Sequence, residues 1–126
     1  MIRILLADDL GMMLHLLTGL CEADGGVEVV GAVETGEEAI ELALRIKPDV
    51  MVLDIKLPGI SGLEVARRLT RRLPDTKIVV LTALDSYGFA ARAMAAGAQA
   101  FLTKQAVVRE LVNAIRKVYA GGNYLD

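Results

Sequence analysis

At 126 residues, 54% of them hydrophobic, with a formal net charge of −2, the chain is sized for one domain. Such a domain can bury about 70% of its unfolded surface without a disulfide or structural metal. That charge gives no electrostatic case for nucleic-acid binding by this segment, no apolar stretch approaches the ~20 residues of a membrane span, and no signal peptide is expected.

Apolar runs of strand length alternate five times with longer segments of helical period. The first strand is expected near 2–7, ending in Asp8-Asp9, followed by a helix near 10–23. At about 100° per residue, Leu10, Met13, Leu14, Leu17, Leu20 and Cys21 share one apolar arc of this helix, which Met12 and Leu16 widen. His15 reads as a surface residue. Cys21 is the single cysteine and reads as a small buried apolar residue; having no partner for a disulfide, it suits a reducing cytoplasm. Gly25-Gly26 breaks the chain, and residues 27–33, which include Glu28, suit an edge strand. Thr35-Gly36-Glu37-Glu38 opens a helix near 36–46, and Pro48 ends it, because proline disfavours α geometry in the residue before it.

The wholly apolar run 50–53 lies within a central strand near 49–53 and ends in Asp54. Ser61 is read as an N-cap with Glu64 as its capping-box partner, opening a helix near 61–73. Arg67, Arg68, Arg71 and Arg72 form a solvated face of that helix, with Glu64 one turn before Arg68. After Pro74-Asp75 comes a second central strand near 77–82, ending in Thr82, then a helix near 86–96 and the break at Gly97. A strand near 99–102 leads to Lys104, and the last helix spans about 106–120. Gly121-Gly122 stops it, and 121–126 read as the start of a linker after a domain spanning 1–120. Right-handed crossovers favour an α/β fold with one parallel sheet in the flavodoxin-like order 2-1-3-4-5, helices on both faces.

In such a sheet the strands' carboxyl ends share one edge, where ligands bind. Asp8, Asp9, Asp54, Thr82 and Lys104 would converge there. Asp54 is the candidate nucleophile, since a carboxylate can accept a phosphoryl group as an acyl phosphate. Asp8 and Asp9 are hard oxygen ligands suited to Mg²⁺, which neutralises phosphoryl oxygens in the transition state. Lys104 supplies a second cation, and Thr82 can donate a hydroxyl hydrogen bond to the phosphoryl group.

These residues, within Leu6-Ala7-Asp8-Asp9, Leu53-Asp54-Ile55-Lys56-Leu57-Pro58-Gly59-Ile60-Ser61-Gly62, Leu81-Thr82-Ala83 and Gly97-Ala98-Gln99-Ala100-Phe101-Leu102-Thr103-Lys104, resemble the receiver domain of bacterial two-component response regulators. The tail from Val107 to Leu125 is similar to the last receiver helix and linker start of NarL/FixJ-type transcription regulators, which carry a C-terminal LuxR-type helix-turn-helix. The resemblance implies a cytoplasmic signalling switch in which Asp54 takes phosphate from a histidine kinase and Asp8, Asp9, Asp54 and the Lys56 backbone carbonyl hold Mg²⁺. It implies that Phe101 is the aromatic switch residue, packing inward when Thr82 moves toward the phosphate. Lys56 and Leu84 would tune the lifetime of the phosphorylated state, and no chemistry beyond self-phosphorylation and slow self-dephosphorylation is expected. The output is an expected C-terminal DNA-binding domain. A homodimer would use the first helix against Val112, Ile115 or Tyr119 of the last, or else the fourth helix, fifth strand and fifth helix.

Two positions depart from the family pattern. Gln105 follows Lys104 where many receivers have a cis proline; a cis bond to a non-proline residue costs ~2.5–4 kcal/mol, so that geometry stays open. Leu14 stands where the subfamily often shows a basic residue. Among competing readings, a haloacid-dehalogenase-type phosphatase would want Asp at position 56, which is Lys. A flavodoxin-like nucleotide or flavin binder would need a Gly/Ser/Thr-rich loop after the first strand, where Asp8-Asp9 stands. A receiver-like interaction module that is never phosphorylated is the remaining alternative.

Overall fold

Alternate side chains of the inner strands pack into two separate cores, one on each face of a single sheet. Ile4, Leu6, Val50, Val52, Val79, Leu81 and Leu102 lie in one core, while Leu5, Ala7, Met51, Leu53, Ile78, Val80 and Phe101 lie in the other. This is the period-2 geometry of a strand covered on both faces. The computed structural model describes residues 1–83 and 88–125. Its strands are β1 (Ile2–Ala7), β2 (Val27–Val33), β3 (Val50–Asp54), β4 (Lys77–Thr82), β5 (Ala100–Thr103) and β6 (Tyr124–Leu125). The helices are α1 (Gly11–Glu22), α2 (Gly36–Ile46), α3 (Gly62–Arg72), α4 (Phe89–Ala95) and α5 (Val107–Tyr119). The sheet order is β2-β1-β3-β4-β5-β6, and every pairing is parallel. The expected 2-1-3-4-5 arrangement is therefore present, with one strand more.

That sixth strand is a departure from the sequence reading. The last helix ends at Tyr119, Gly121 adopts a positive φ of 100°, and the chain turns back beside β5. Tyr124 N–H donates to the Gln99 carbonyl at 2.9 Å, and the Tyr124 hydroxyl donates to Glu110 Oε1 at 2.7 Å. Residues 124–125 thus join the sheet where a free linker start was expected.

Local signals in α2 and α3 are used as their chemistry demands. The Thr35 side chain accepts the Glu38 N–H at 3.1 Å, and Glu38 Oε1 accepts the Glu34 N–H at 3.3 Å. At Ser61 only half of the expected capping box forms. Ser61 Oγ accepts the Glu64 N–H at 3.3 Å, but the Glu64 carboxylate pairs with Arg67 and with Arg68 Nε, the latter at 2.9 Å. Two nearby guanidinium groups offer stronger, charge-assisted bonds than a backbone N–H. They also hold the Glu64 carboxyl below the usual carboxylate range, Arg68 first and Arg67 second. The arginine face is exposed, as its spacing implies.

Helices α1 and α5 cover the same side of the sheet. Leu17 and Cys21 of α1 are fully buried, and Met13, Leu14 and Leu20 pack partly against that core. Burial, with the Asp24 and Glu22 charges nearby, pushes the Cys21 thiol up to about 11, so it is inert packing material. His15 is exposed. The apolar arc is wider than the sheet can cover: Leu10, Met12 and Leu16 remain 55%, 89% and 41% exposed. On α5, Ile115 is fully buried and does not belong to the surface proposed for it from sequence; Val108 and Tyr119 are the exposed apolar residues, and Val112 is half-buried. Ile115 is seven residues after the exposed Val108, yet it follows the buried Leu111 by one turn and inherits its inward face. Among the described residues no helix is long and apolar enough to cross a membrane.

Candidate functional site

Three strands deliver acidic or basic groups to one edge. β1 ends into Asp8 and Asp9, β3 ends in Asp54, and Lys104 follows β5. Asp8 is fully buried and Asp54 nearly so, while Asp9 is exposed. One carboxylate oxygen from each of the three lies within 4.8 Å of the others. Lys104 Nζ lies 3.0 Å from Asp8 Oδ2 and 3.1 Å from Asp54 Oδ2. Three carboxylates therefore face one paired ammonium, an arrangement short of positive charge.

The local backbone fixes the carboxylates. Asp8 Oδ1 accepts the Leu10 N–H at 2.9 Å, and Asp54 Oδ1 accepts the Lys56 N–H at 3.3 Å. Asp8 Oδ2 is buried in an ion pair with Lys104 at 3.0 Å, and among the described residues it accepts no aligned hydrogen bond. A Cβ on Gly62 would lie 2.0 Å from the Asp54 carbonyl oxygen, so α3 can start this close to the acceptor strand only with glycine there.

The electrostatics follow from burial. Desolvation is the largest influence on Asp54 and raises its pKa; the Lys104 hydrogen bond and charge oppose it, the Asp8 charge adds to it, and the net direction is upward. Burial acts to lower the Lys104 ammonium, but its contacts with Asp8 and Asp54 outweigh that and hold it above the ordinary lysine range.

Thr82 is buried at the end of β4, beside Thr103 in the β4–β5 register, and its carbonyl accepts the Lys104 N–H at 2.8 Å. This backbone bond places the Lys104 turn directly against the Thr82 strand end. The peptide bonds of the described residues are all trans, that between Lys104 and Gln105 included. Phe101 is 5% exposed and already packed in the core on the α2–α3–α4 side, so the inward position that the sequence reading assigned to the phosphorylated form is occupied here. The Lys56 side chain is exposed. Leu84 lies outside the described residues. Sequence reasoning missed the difference between Asp8 and Asp9, one buried and one exposed, and it missed contacts between α2 and the loop after Asp54. The strand-to-loop transition after Ala7 signals the first; no local pattern signals the second, which joins residues over twenty positions apart.

The donor set tests well against a divalent cation. Hard carboxylate oxygens converge, one of them buried without an aligned donor, and the local charge is negative. The fold and site thus define a three-layer α/β domain with a cluster of three carboxylates that could hold a metal ion at the carboxyl edge of its sheet.

Comparison with known proteins agrees. Residues 4–116 match the response regulator receiver domain, and the chain belongs to that family. It is 42% identical to the response regulator GacA of Pseudomonas aeruginosa over 126 residues, all of this chain and 59% of that protein. It is 38% identical to the response regulator UvrY of Escherichia coli K12 over 125 residues, 99% of this chain and 57% of that protein. The chain thus spans somewhat under 60% of these curated relatives. A two-component response regulator of the LuxR family from Aurantimonas sp. SI85-9A1 superposes with a TM-score of 0.92 at 33% identity, covering 97% of this chain and 87% of the other. The signal receiver domain of the response regulator NarL from Mycobacterium tuberculosis superposes with a TM-score of 0.90 at 30% identity, over 95% of this chain and 97% of that one.

Proposed function

We propose that this receiver domain is a phosphorylation-dependent switch of the cytoplasm, accepting a phosphoryl group on Asp54 from a histidine kinase with Mg²⁺ and controlling a DNA-binding output domain. The observation that carries this reading is the joint placement of Asp8, Asp9, Asp54 and Lys104 at one sheet edge, with excess negative charge.

An Asp54 carboxylate oxygen attacks the donor phosphorus. The bond from phosphorus to the donor's leaving nitrogen or oxygen breaks, and its electron pair stays with the leaving group. Asp8, Asp9, Asp54 and the Lys56 carbonyl would hold the Mg²⁺, whose charge would offset that of the phosphoryl oxygens. Lys104, free to exchange its contact with Asp54 for one with a phosphoryl oxygen, supplies the second cation. Thr82 donates its hydroxyl to another of those oxygens, and that movement secures Phe101 in the inward position it already holds. Because the switch acts through differential contacts with phosphate, Thr82→Ala accepts phosphate but responds weakly to it. No other substrate is turned over, and hydrolysis of the acyl phosphate is slow, its rate tuned by the residues at positions 56 and 84.

The exposed Met12 and Leu16 of α1, with Leu10 just before it, are offered to a second copy, with Val108, Val112 and Tyr119 of α5 as the corrected partner face. The face of α4, β5 and α5 is the other candidate. Met12→Asp is the clean probe because that side chain is 89% exposed, whereas Leu14 packs partly in the core. Sedimentation with and without beryllium fluoride shows weaker association in Met12→Asp if α1 is the contact.

Intact mass after incubation with acetyl phosphate tests the chemistry. The parent gains one phosphoryl group only when Mg²⁺ is present, and Asp54→Asn gains none. Equal labelling of both would overturn the assignment, and no labelling of the parent would favour a module that works without phosphorylation.

A further inference from the structure

The loop that leaves Asp54 is fastened to the start of α2 by contacts that no strand pairing explains. Gly36 N–H donates to the Pro58 carbonyl at 3.2 Å, and Glu37 Oε1 accepts the Ile60 N–H at 3.3 Å. The approach is close at two glycines. A Cβ on Gly36 would lie 1.9 Å from the Ile60 carbonyl oxygen, and one on Gly59 would lie 2.2 Å from Glu37 Oε1. Gly59 also has a positive φ of 75°. The Glu37 carboxylate therefore lies over the Gly59–Ile60 backbone, in space that only glycine leaves open.

The far end of the same loop is closed on itself. Gly62 N–H donates to the Ile55 carbonyl at 2.8 Å, and Ser61 caps α3. Ile55 and Leu57 are buried, but Lys56, Pro58 and Gly59 are exposed. Burial thus holds the loop at Ile55 and Leu57, and Ile60 packs partly against the same core while its backbone N–H is held by α2.

We infer that Glu37, which touches neither Asp54 nor the metal ligands, is a positioning residue whose hold on the Gly59–Ile60 backbone sets the geometry of the Lys56 turn for Mg²⁺. The inference rests on the function proposed above. An oxygen acceptor held over a backbone N–H fixes a loop through its hydrogen bond, and partners that orient a metal's ligands from outside the coordination sphere carry much of the affinity.

Glu37→Ala removes the acceptor, and Glu37→Gln keeps an oxygen acceptor while removing the same charge. Two quantities are read in each variant: Mg²⁺ affinity, by NMR titration, and hydrogen exchange of the Ile60 amide. The Ala variant binds Mg²⁺ about tenfold more weakly and exchanges Ile60 faster, at an unchanged thermal midpoint. The Gln variant stays near the parent in both. Equal weakening in Ala and Gln would assign the effect to charge at a distance and overturn the inference. So would faster Ile60 exchange with unchanged Mg²⁺ affinity. A parent that binds no Mg²⁺ would instead overturn the function proposed above, and this inference with it, a result distinct from either of the others.

Discussion

The two edges of the sheet use similar polar residues to opposite ends. At the amino edge, Asp49 Oδ2 accepts the Arg3 N–H at 2.8 Å, and the Arg3 guanidinium donates to the Lys47 and Ile46 carbonyls at 2.9 and 3.0 Å. The buried Thr76 hydroxyl donates to the Pro48 carbonyl at 2.7 Å, and Gln99 Oε1 accepts the Ile78 N–H at 2.8 Å. Each of these groups has a partner of the right kind. At the carboxyl edge, Asp8 is buried with one oxygen lacking an aligned donor, and Asp8 and Asp54 share one ammonium beside a third carboxylate, Asp9. Buried polar groups are normally satisfied, and a buried charge without full compensation costs stability. The contrast is between an edge whose polar groups are paired with one another and an edge that gathers carboxylates in excess of its cations, as the proposed Mg²⁺ site would require.

Substitutions at the two edges should therefore have opposite signatures. The largest effect is expected for Asp9→Ala. With Asp9 a ligand as proposed, its removal should lower Mg²⁺ affinity by about a hundredfold, at least the cost of losing an outer partner. The fold survives, since removing one of several clustered carboxylates relieves repulsion. Titration calorimetry checks the first part and circular dichroism the second.

Thr76→Val comes next. It strips the Pro48 carbonyl of its buried donor and should destabilise by about 1–3 kcal/mol, read from urea unfolding, with Mg²⁺ affinity unchanged. Were Mg²⁺ binding to fall with it, the two edges would not be independent.

The smallest effect is a pH dependence in the metal-free chain. The folded pKa of Asp54 is raised by burial and by the Asp8 charge against the pull of Lys104. The folded state thus holds that proton more tightly than the unfolded state, and the linked stability is present below the ordinary aspartate value. It is lost as pH rises through the raised folded value. Stability of the parent relative to Asp54→Asn should accordingly decline from about pH 4 toward neutrality. A parent that gains on the variant over the same range would reverse the sign assigned to Asp54.

Much of this comparison was legible in the sequence. The wholly apolar β3 and β4 cores announced central strands, the charged β2 an edge, and the polar residues at the ends of β1, β3, β4 and β5 announced the carboxyl-edge cluster. These are local signals with a fixed period. What was hidden depends on distant neighbours. Ile115 and Val108 are both apolar on one helix, yet only packing against the sheet decides that the first is core and the second surface. Tyr124–Leu125 is too short to read as a strand until Gln99 and Glu110 are seen to receive it. Glu37 looked like an ordinary first-turn acid of α2. Its hold on Ile60, twenty-three residues away, exists only in the folded chain.

The most direct test is urea unfolding of the parent and Asp54→Asn at pH 7, with and without Mg²⁺. Without metal, Asp54→Asn should be the more stable chain, because it removes a buried carboxylate from a site short of positive charge. Mg²⁺ at a hundred times its dissociation constant should stabilise the parent by about 2.7 kcal/mol and the variant by much less, closing or reversing the gap. A parent already the more stable of the two in the absence of metal, or a gap that Mg²⁺ leaves unchanged, would contradict the claim that the carboxyl edge is built incomplete to receive a cation.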